Sequence, residues 1–307
     1  MRILVTGGCG FIGSFLVKKL VNLGFNVAVL DNLGSGSLAN LGDVAGKVRF
    51  IEGDVRNYRV VLKALKDVDV VYHLAALTSV QESIRKPMLY HEVNSKGTLN
   101  LLKASVESNV KKFIYASSCA VYGNPVKLPI SEDHPTNPLS PYAASKLSAE
   151  AYCKAYSDAY GLQVLILRLF NVYGPKQSEN YAGVMMEFIR RVKNNEPPVI
   201  FGDGEQTRDF IYVGDVVEYF TRALNYKLEN NFCEIFNIGT GKPVTINQLA
   251  NLVLQVMEKK SLGVIYREPR KGDIRHSVAD ISKAVNHLMY VPSCNIEEGL
   301  RKMLGFA

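Results

Sequence analysis

Tyr142 and Lys146 stand four residues apart in this 307-residue chain. On a helix that spacing puts both side chains on one face, within reach of one ligand. A free tyrosine titrates near about 10 and is a poor base at neutral pH. A neighbouring ammonium, such as that of Lys146, would favour the phenolate. Ser118 closes an apolar run in Ala116-Ser117-Ser118-Cys119. At the end of a strand its hydroxyl can donate to a substrate hydroxyl and relay a proton. Together the three residues could move a proton on and off an alcohol.

A second pattern lies near the start. Gly7, Gly10 and Gly13 are spaced G-x-x-G-x-x-G between an apolar run, Arg2 to Val5, and an amphipathic stretch with Phe15, Leu16, Leu20 and Leu23 among its apolar positions. Glycines there permit a tight turn and let backbone N–H groups approach a diphosphate, and the following helix N-terminus adds a favourable dipole. Asp31 ends the next apolar run, 18 residues after Gly13. A carboxylate there accepts from both hydroxyls of an adenosine ribose and repels a 2′-phosphate, which favours NAD over NADP. Asp54, in Gly53-Asp54-Val55, is placed either to meet the adenine amino group or to make an ordinary turn.

These groups need a scaffold, and the hydrophobic pattern predicts one. Short apolar runs at 2–5, 27–30, 48–52, 68–73, 113–116 and 164–168 alternate with helical periodicity, the signature of βαβ units and a parallel sheet covered on both faces. A long helical stretch is predicted from Tyr90 to Ser108. Another helix opens at Tyr142, with Ser140 suited to the N-cap and Pro141 to the first turn. The second half predicts helices over 184–193, 245–259 and 296–304, and short strands over 210–213 and 235–238 that return to the main sheet. The fold class is therefore α/β, a Rossmann-type doubly wound parallel sheet with a smaller α/β C-terminal lobe.

Composition agrees. Hydrophobic residues at 47% and charged residues at 21% describe a globular chain that needs no disulfide or metal staples. Five cysteines without C-x-x-C spacing point away from a disulfide framework or a zinc site and towards a reducing, cytoplasmic compartment. No apolar run approaches the roughly 20 residues of a membrane helix. The net charge of +7 is read as a solvated basic surface, and no nucleic-acid-binding signature accompanies it. His73 reads as a core histidine, and Cys119 as a small filler. Tyr152, Tyr156 and Tyr160 read as packing or interface residues.

The motifs taken together resemble the extended short-chain dehydrogenase/reductase family of NAD-dependent nucleotide-sugar enzymes, and within it the UDP-glucose (UDP-galactose) 4-epimerase branch. They are TGGCGFIGS at 6–14, LDNLGSG at 30–36, GDVRN at 53–57, HLAALTSV at 73–80, SSCAVYG at 117–123, SPYAASK at 140–146, RLFNVYGP at 168–175, TRDFIYVGD at 207–215, FNIGTG at 236–241 and PRKGD at 269–273. The resemblance implies that Tyr142 is the acid/base, that Lys146 bonds the nicotinamide ribose and tunes Tyr142, and that Ser118 helps the proton move. It implies that Gly7, Gly10, Phe11, Ile12 and Gly13 cradle the NAD diphosphate, that Asp31, Asn32 and Ser35 hold the ribose, and that Asp54 and Val55 meet adenine. Leu74, Ala75 and Ala76 would line the cofactor, with Phe170 by the nicotinamide. Asn171, Arg208 and Arg270 would hold the sugar diphosphate, Asp273 the nucleotide ribose, and Ser277 the edge of the sugar.

The same resemblance implies NAD that is tightly bound and regenerated, a UDP-sugar substrate, no metal, and a homodimer through helices near 90–108 and 142–160. It sets an NAD-binding lobe over 1–174, with 208–238 returning to it, and a nucleotide-sugar lobe from 175–207 and 239–307. Dehydratases of the family place Thr-Asp-Glu where this chain has Ser118-Cys119-Ala120, and Thr78 replaces a lysine of some 4-epimerases. The small Ser277 leaves room for N-acetylated hexoses. UDP-glucuronate 4-epimerase, a nucleotide-sugar reductase or dehydratase, and a non-catalytic NAD-binding regulator remain the alternatives.

Overall fold

The computed structural model describes residues 1–177, 183–228, 232–269 and 274–306. Its main sheet uses β1 (Arg2–Thr6), β2 (Asn26–Asp31), β3 (Arg49–Glu52), β4 (Val70–His73), β5 (Lys112–Ser118) and β6 (Gln163–Leu169), with β10 (Cys233–Ile238) from late in the chain. The order is β10-β6-β5-β4-β1-β2-β3 and every pair is parallel. The direction of winding reverses between β1 and β4, and the carboxyl ends of those two strands open the crevice where such sheets bind ligands.

Side chains alternate across each strand, and the sequence uses both faces. Ile3, Val5, Val27, Val29, Ile114 and Leu165 point into one core, beneath α1 (Phe11–Asn22) and α8 (Val213–Asn225). Their neighbours Leu4, Leu30, Val71, Phe113, Val164 and Ile166 fill the other, beneath α2 (Tyr58–Ala64), α5 (Gly97–Glu107) and α6 (Pro141–Tyr160). Caps set the helix ends. Ser140 Oγ accepts from Ala143 N at 3.2 Å to start α6, and Gly161 ends it in the left-handed region at φ 68°. Lys112, buried at the start of β5, donates to the carbonyls of Leu224 at 2.8 Å and Tyr226 at 2.6 Å at the end of α8. Lys112→Met removes that charged cap and is expected to cost about 2 kcal/mol, read as a lowered urea midpoint with an unchanged slope.

The predicted helix from Tyr90 to Ser108 is interrupted. After α3 (Val80–Arg85) and α4 (Pro87–Tyr90), the segment His91–Lys96 is a π-turn that leads into α5. The extra residue turns Asn94 inward, where it is buried against the β4 loop.

A smaller sheet gathers β7 (Asn171–Tyr173), β9 (Thr207–Tyr212), β11 (Pro243–Thr245) and β13 (His276–Ser277), while β8 (Val199–Phe201) pairs with β12 (Ile265–Arg267). Its core lies among α7 (Val184–Lys193), α9 (Ile246–Val256) and α11 (Ile296–Leu304), and α10 (Ser282–Leu288) packs on β10. The strand predicted over 210–213 therefore does not return to the main sheet. Its backbone pairs with β7, β11 and β13, because the buried Asp209 gathers the N–H groups of Thr240, Gly241 and Ala279 around it. Of the segment 208–238, α8 and β10 are the parts that pack into the Rossmann layer. Among the described residues no helix is long and apolar enough to cross a membrane.

Candidate active site

A cleft of about 510 Å³ runs along the carboxyl ends of β1, β2, β4, β5 and β6. Sequence-predicted residues form most of its wall. Gly7, Gly10, Phe11, Ile12, Gly13, Asp31, Asn32, Ser35, Asp54, Val55, Leu74, Ala75 and Ala76 line one half, and Ser118, Tyr142, Lys146, Phe170 and Asn171 the other. Arg208 and Ser277 are not on this wall. They are register partners across β9 and β13. Arg270 and Asp273 lie outside the described residues.

The glycine turn is shaped for close approach. A Cβ on Gly13 would sit 2.1 Å from Gly7 O, and one on Gly7 would sit 2.7 Å from Ala75 N. Asp31 is buried behind the turn, where its Oδ2 accepts from Cys9 N at 2.9 Å and its Oδ1 from Leu33 N at 2.8 Å. Each oxygen keeps a further acceptor site. Asn32 braces its own turn at Gly34 N and donates to Asp54 Oδ2 at 3.0 Å. The Arg56 guanidinium grips the Asp54 carboxyl and pulls it down to about 2, so this group is an anion at neutral pH.

At the other end, Tyr142 and Lys146 are both buried on the first turns of α6. Ser118 lines the cleft beside Tyr142, and its hydroxyl favours the phenolate. Lys146 Nζ donates to Ala116 O at 2.8 Å and lies 4.9 Å from the centre of the Tyr115 ring. Burial pushes the Tyr142 phenol up to about 12 and the Lys146 ammonium down to about 8. The sequence predicted an ammonium that favours the phenolate. Desolvation outweighs it here, since Lys146 is spent on the Ala116 carbonyl. A further positive charge must enter the cleft before Tyr142 can ionise near neutral pH. Cys119 is no nucleophile: burial lifts its thiol to about 12.

The NAD dependent epimerase/dehydratase family matches residues 3–239. The chain belongs to that family. A Methanocaldococcus jannaschii protein assigned provisionally as a UDP-glucose 4-epimerase is 42% identical over 99% of this chain and 97% of its own length. The UDP-glucose 4-epimerase of Thermotoga maritima, solved with UDP-glucose, superposes with a TM-score of 0.93 at 40% identity over 100% of this chain and 98% of that one. A UDP-N-acetylglucosamine 4-epimerase of Methanobrevibacter ruminantium, solved with UDP-N-acetylmuramic acid, gives 0.93 at 40% identity over 99% and 97%. The cofactor of this epimerase/dehydratase is NAD, and the turn around Gly7 and Gly13, too close for any Cβ, has the room a dinucleotide backbone requires.

The sequence missed some supports of this family member's cleft. Asn94 accepts from Leu77 N and donates to Leu77 O and Ser145 Oγ, each at 2.9 Å, so it ties the β4 loop to the turn that carries Tyr142. Its only sequence signal was a polar residue inside an apolar helical stretch. His73 is a core histidine as read, held between Thr6 Oγ1 at 2.7 Å and Thr98 Oγ1 at 2.9 Å and pushed down to about 3 by burial. Lys176, which also lines the cleft, had no sequence signal at all.

Proposed function

We propose that this chain inverts C4 of UDP-glucose and UDP-galactose, with UDP-N-acetylhexosamines as further substrates, using NAD that stays bound and is regenerated. The observation that carries the reading is Ser118 and Tyr142 together on the cleft wall with no acid beside them. Among the described cleft-lining residues the carboxylates are Asp31 and Asp54, both at the far end. Expelling a hydroxyl needs a proton donor near the reacting carbons, and Cys119 and Ala120 supply none. Epimerisation needs only one group that takes a proton and gives it back.

Tyr142 takes the C4 hydroxyl proton, with Ser118 holding the same oxygen, as C4 is oxidised to a 4-keto sugar. Bound NAD supplies the hydride acceptor and its positive ring. The sugar then turns about its diphosphate linkage, so that the hydride would return to C4 on the opposite face while Tyr142 gives the proton back to the C4 oxygen. Lys146 bonds the nicotinamide ribose. The glycine turn with Phe11 and Ile12 holds the diphosphate, Asp31, Asn32 and Ser35 the ribose, and Asp54 and Val55 the adenine. Asn171 on the cleft wall, with Arg208, Arg270 and Asp273 by the family resemblance, would hold the UDP portion, so that binding energy is realised away from the reacting carbon. Equal identity to a glucose and an N-acetylglucosamine epimerase supports the wider sugar range. The exposed Tyr160 on α6 is compatible with a homodimer.

The test incubates the purified protein separately with UDP-galactose, UDP-N-acetylgalactosamine and UDP-glucuronate, without added NADH, and separates the products. Conversion of the first two to their C4 epimers is expected. Conversion of UDP-glucuronate alone would overturn the substrate assignment. Gly13→Ala is expected to weaken NAD binding at least about tenfold, because a 2.1 Å contact must force the turn open; calorimetric titration of the cofactor-stripped protein reads it.

A further inference from the structure

We propose that Lys176 is a latch that keeps the dinucleotide in the cleft between turnovers, by strapping the second lobe onto the loop that covers the glycine turn. The inference rests on NAD being the cofactor of this cleft. Lys176 follows β7, whose backbone belongs to the smaller sheet. Its ammonium crosses to the Rossmann lobe and donates to Asn40 O at 2.7 Å, over a sequence separation of 136 residues. Asn40 in turn donates from its side chain to Cys9 O at 2.9 Å, and Ser37 N donates to the same carbonyl at 3.1 Å. Cys9 is the middle residue of the glycine turn. One continuous hydrogen-bonded line therefore runs from the second lobe to the turn that meets the diphosphate. Lys176 and Asn40 both line the cleft.

The backbone is bent to place this side chain. Gly174 has φ 156° with no room for a Cβ against Val213, and Lys176 itself sits at φ 67°, a conformation that disfavours any residue with a Cβ. The Lys176 ammonium also lies 5.5 Å from the centre of the Phe15 ring on α1. Lys18, one turn further along α1, faces it and is 3.8 Å from Asp43. Two ammonium groups beside one carboxylate leave the rim net positive, which suits a diphosphate passing beneath. An enzyme that returns its hydride each cycle gains from releasing the sugar nucleotide quickly and the dinucleotide slowly. A bond across the rim, separate from the substrate end, separates those two rates.

The test loads the protein with NADH and chases it with excess NAD, following the loss of bound-NADH fluorescence. Lys176→Met keeps the stem over Phe15 and removes the donor. Lys176 is exposed, so the variant keeps its fold. Release is expected to accelerate about tenfold, the factor for one charge-assisted hydrogen bond. Association should accelerate with it, so that the dissociation constant moves far less than either rate. Lys176→Arg should restore slow release. Unchanged release, or faster release with unchanged association, would overturn the latch; the second result would make Lys176 a direct contact of the dinucleotide. If the wild-type protein takes up no NADH, the cofactor assignment falls and the latch falls with it. If the wild type holds NADH and the Met variant releases it no faster, the latch alone falls.

Discussion

Tyr142→Phe is expected to lower epimerase turnover by about 10³-fold while the protein still binds NAD. Positioned general acid–base groups contribute about 10² to 10⁴, and the only heavy atom removed is the phenol oxygen. The ring remains edge-on to Tyr90, with centres 6.4 Å apart, so the packing around α6 is kept. The pH dependence adds a second check. Tyr142 is pushed up to about 12, chiefly by burial, and on the proposed mechanism the loaded enzyme acts through the deprotonated form. Turnover should therefore rise with pH until the phenol ionises. On the proposed mechanism the positive nicotinamide would lower that point. The Phe variant should lose this rise. Turnover within tenfold of the wild type, with the rise intact, would show that another group moves the proton.

Glu150→Ala is expected to destabilise the fold by about 3–5 kcal/mol, the cost of leaving a buried charge without its partner. Glu150 follows Lys146 by one turn of α6, and it receives Arg168 Nη2 at 2.7 Å and Nε at 3.0 Å. Both side chains are 5% exposed. Arg168 also donates to Tyr122 Oη at 2.9 Å, which donates to Asn237 Oδ1 at 2.7 Å, and Ser117 donates to Glu150 from the other side. The Ala variant strands the guanidinium among these groups. Replacing both partners by methionine should cost much less than the sum of the single changes, since no unpaired charge is left. Urea melts of the three variants and the wild type read this directly. A single variant within about 1 kcal/mol of the wild type would mean that water or another anion reaches Arg168.

The parallel sheet was legible because its strands are short, apolar on both faces and separated by helical periodicity. The glycine turn and the Tyr142–Lys146 pair were legible because local spacing alone fixes their geometry: one follows a strand, and the other opens a capped helix. The course of 207–212 was not. Asp209 draws in backbone from Thr240, Gly241 and Ala279, and nothing in the local pattern of a short β-branched run says which sheet it will join. The π-turn at His91–Lys96 was hidden for a similar reason. Asn94 is satisfied by Leu77 and Ser145, partners far off in sequence, and only tertiary contact makes the irregular turn worthwhile. What the sequence did not give at Tyr142 is the Ala116 carbonyl that takes the Lys146 ammonium.

The late arrival of β10 has a consequence for the chain as a heritable unit. An edge strand of the nucleotide-binding layer is encoded after β7, α7, β8 and β9 of the smaller lobe, and Asn237 on that strand anchors Tyr122 and, through it, Arg168. Neither half can be excised, swapped or synthesised alone as a finished module. A cut after Gly174 would separate the main sheet from its own border strand.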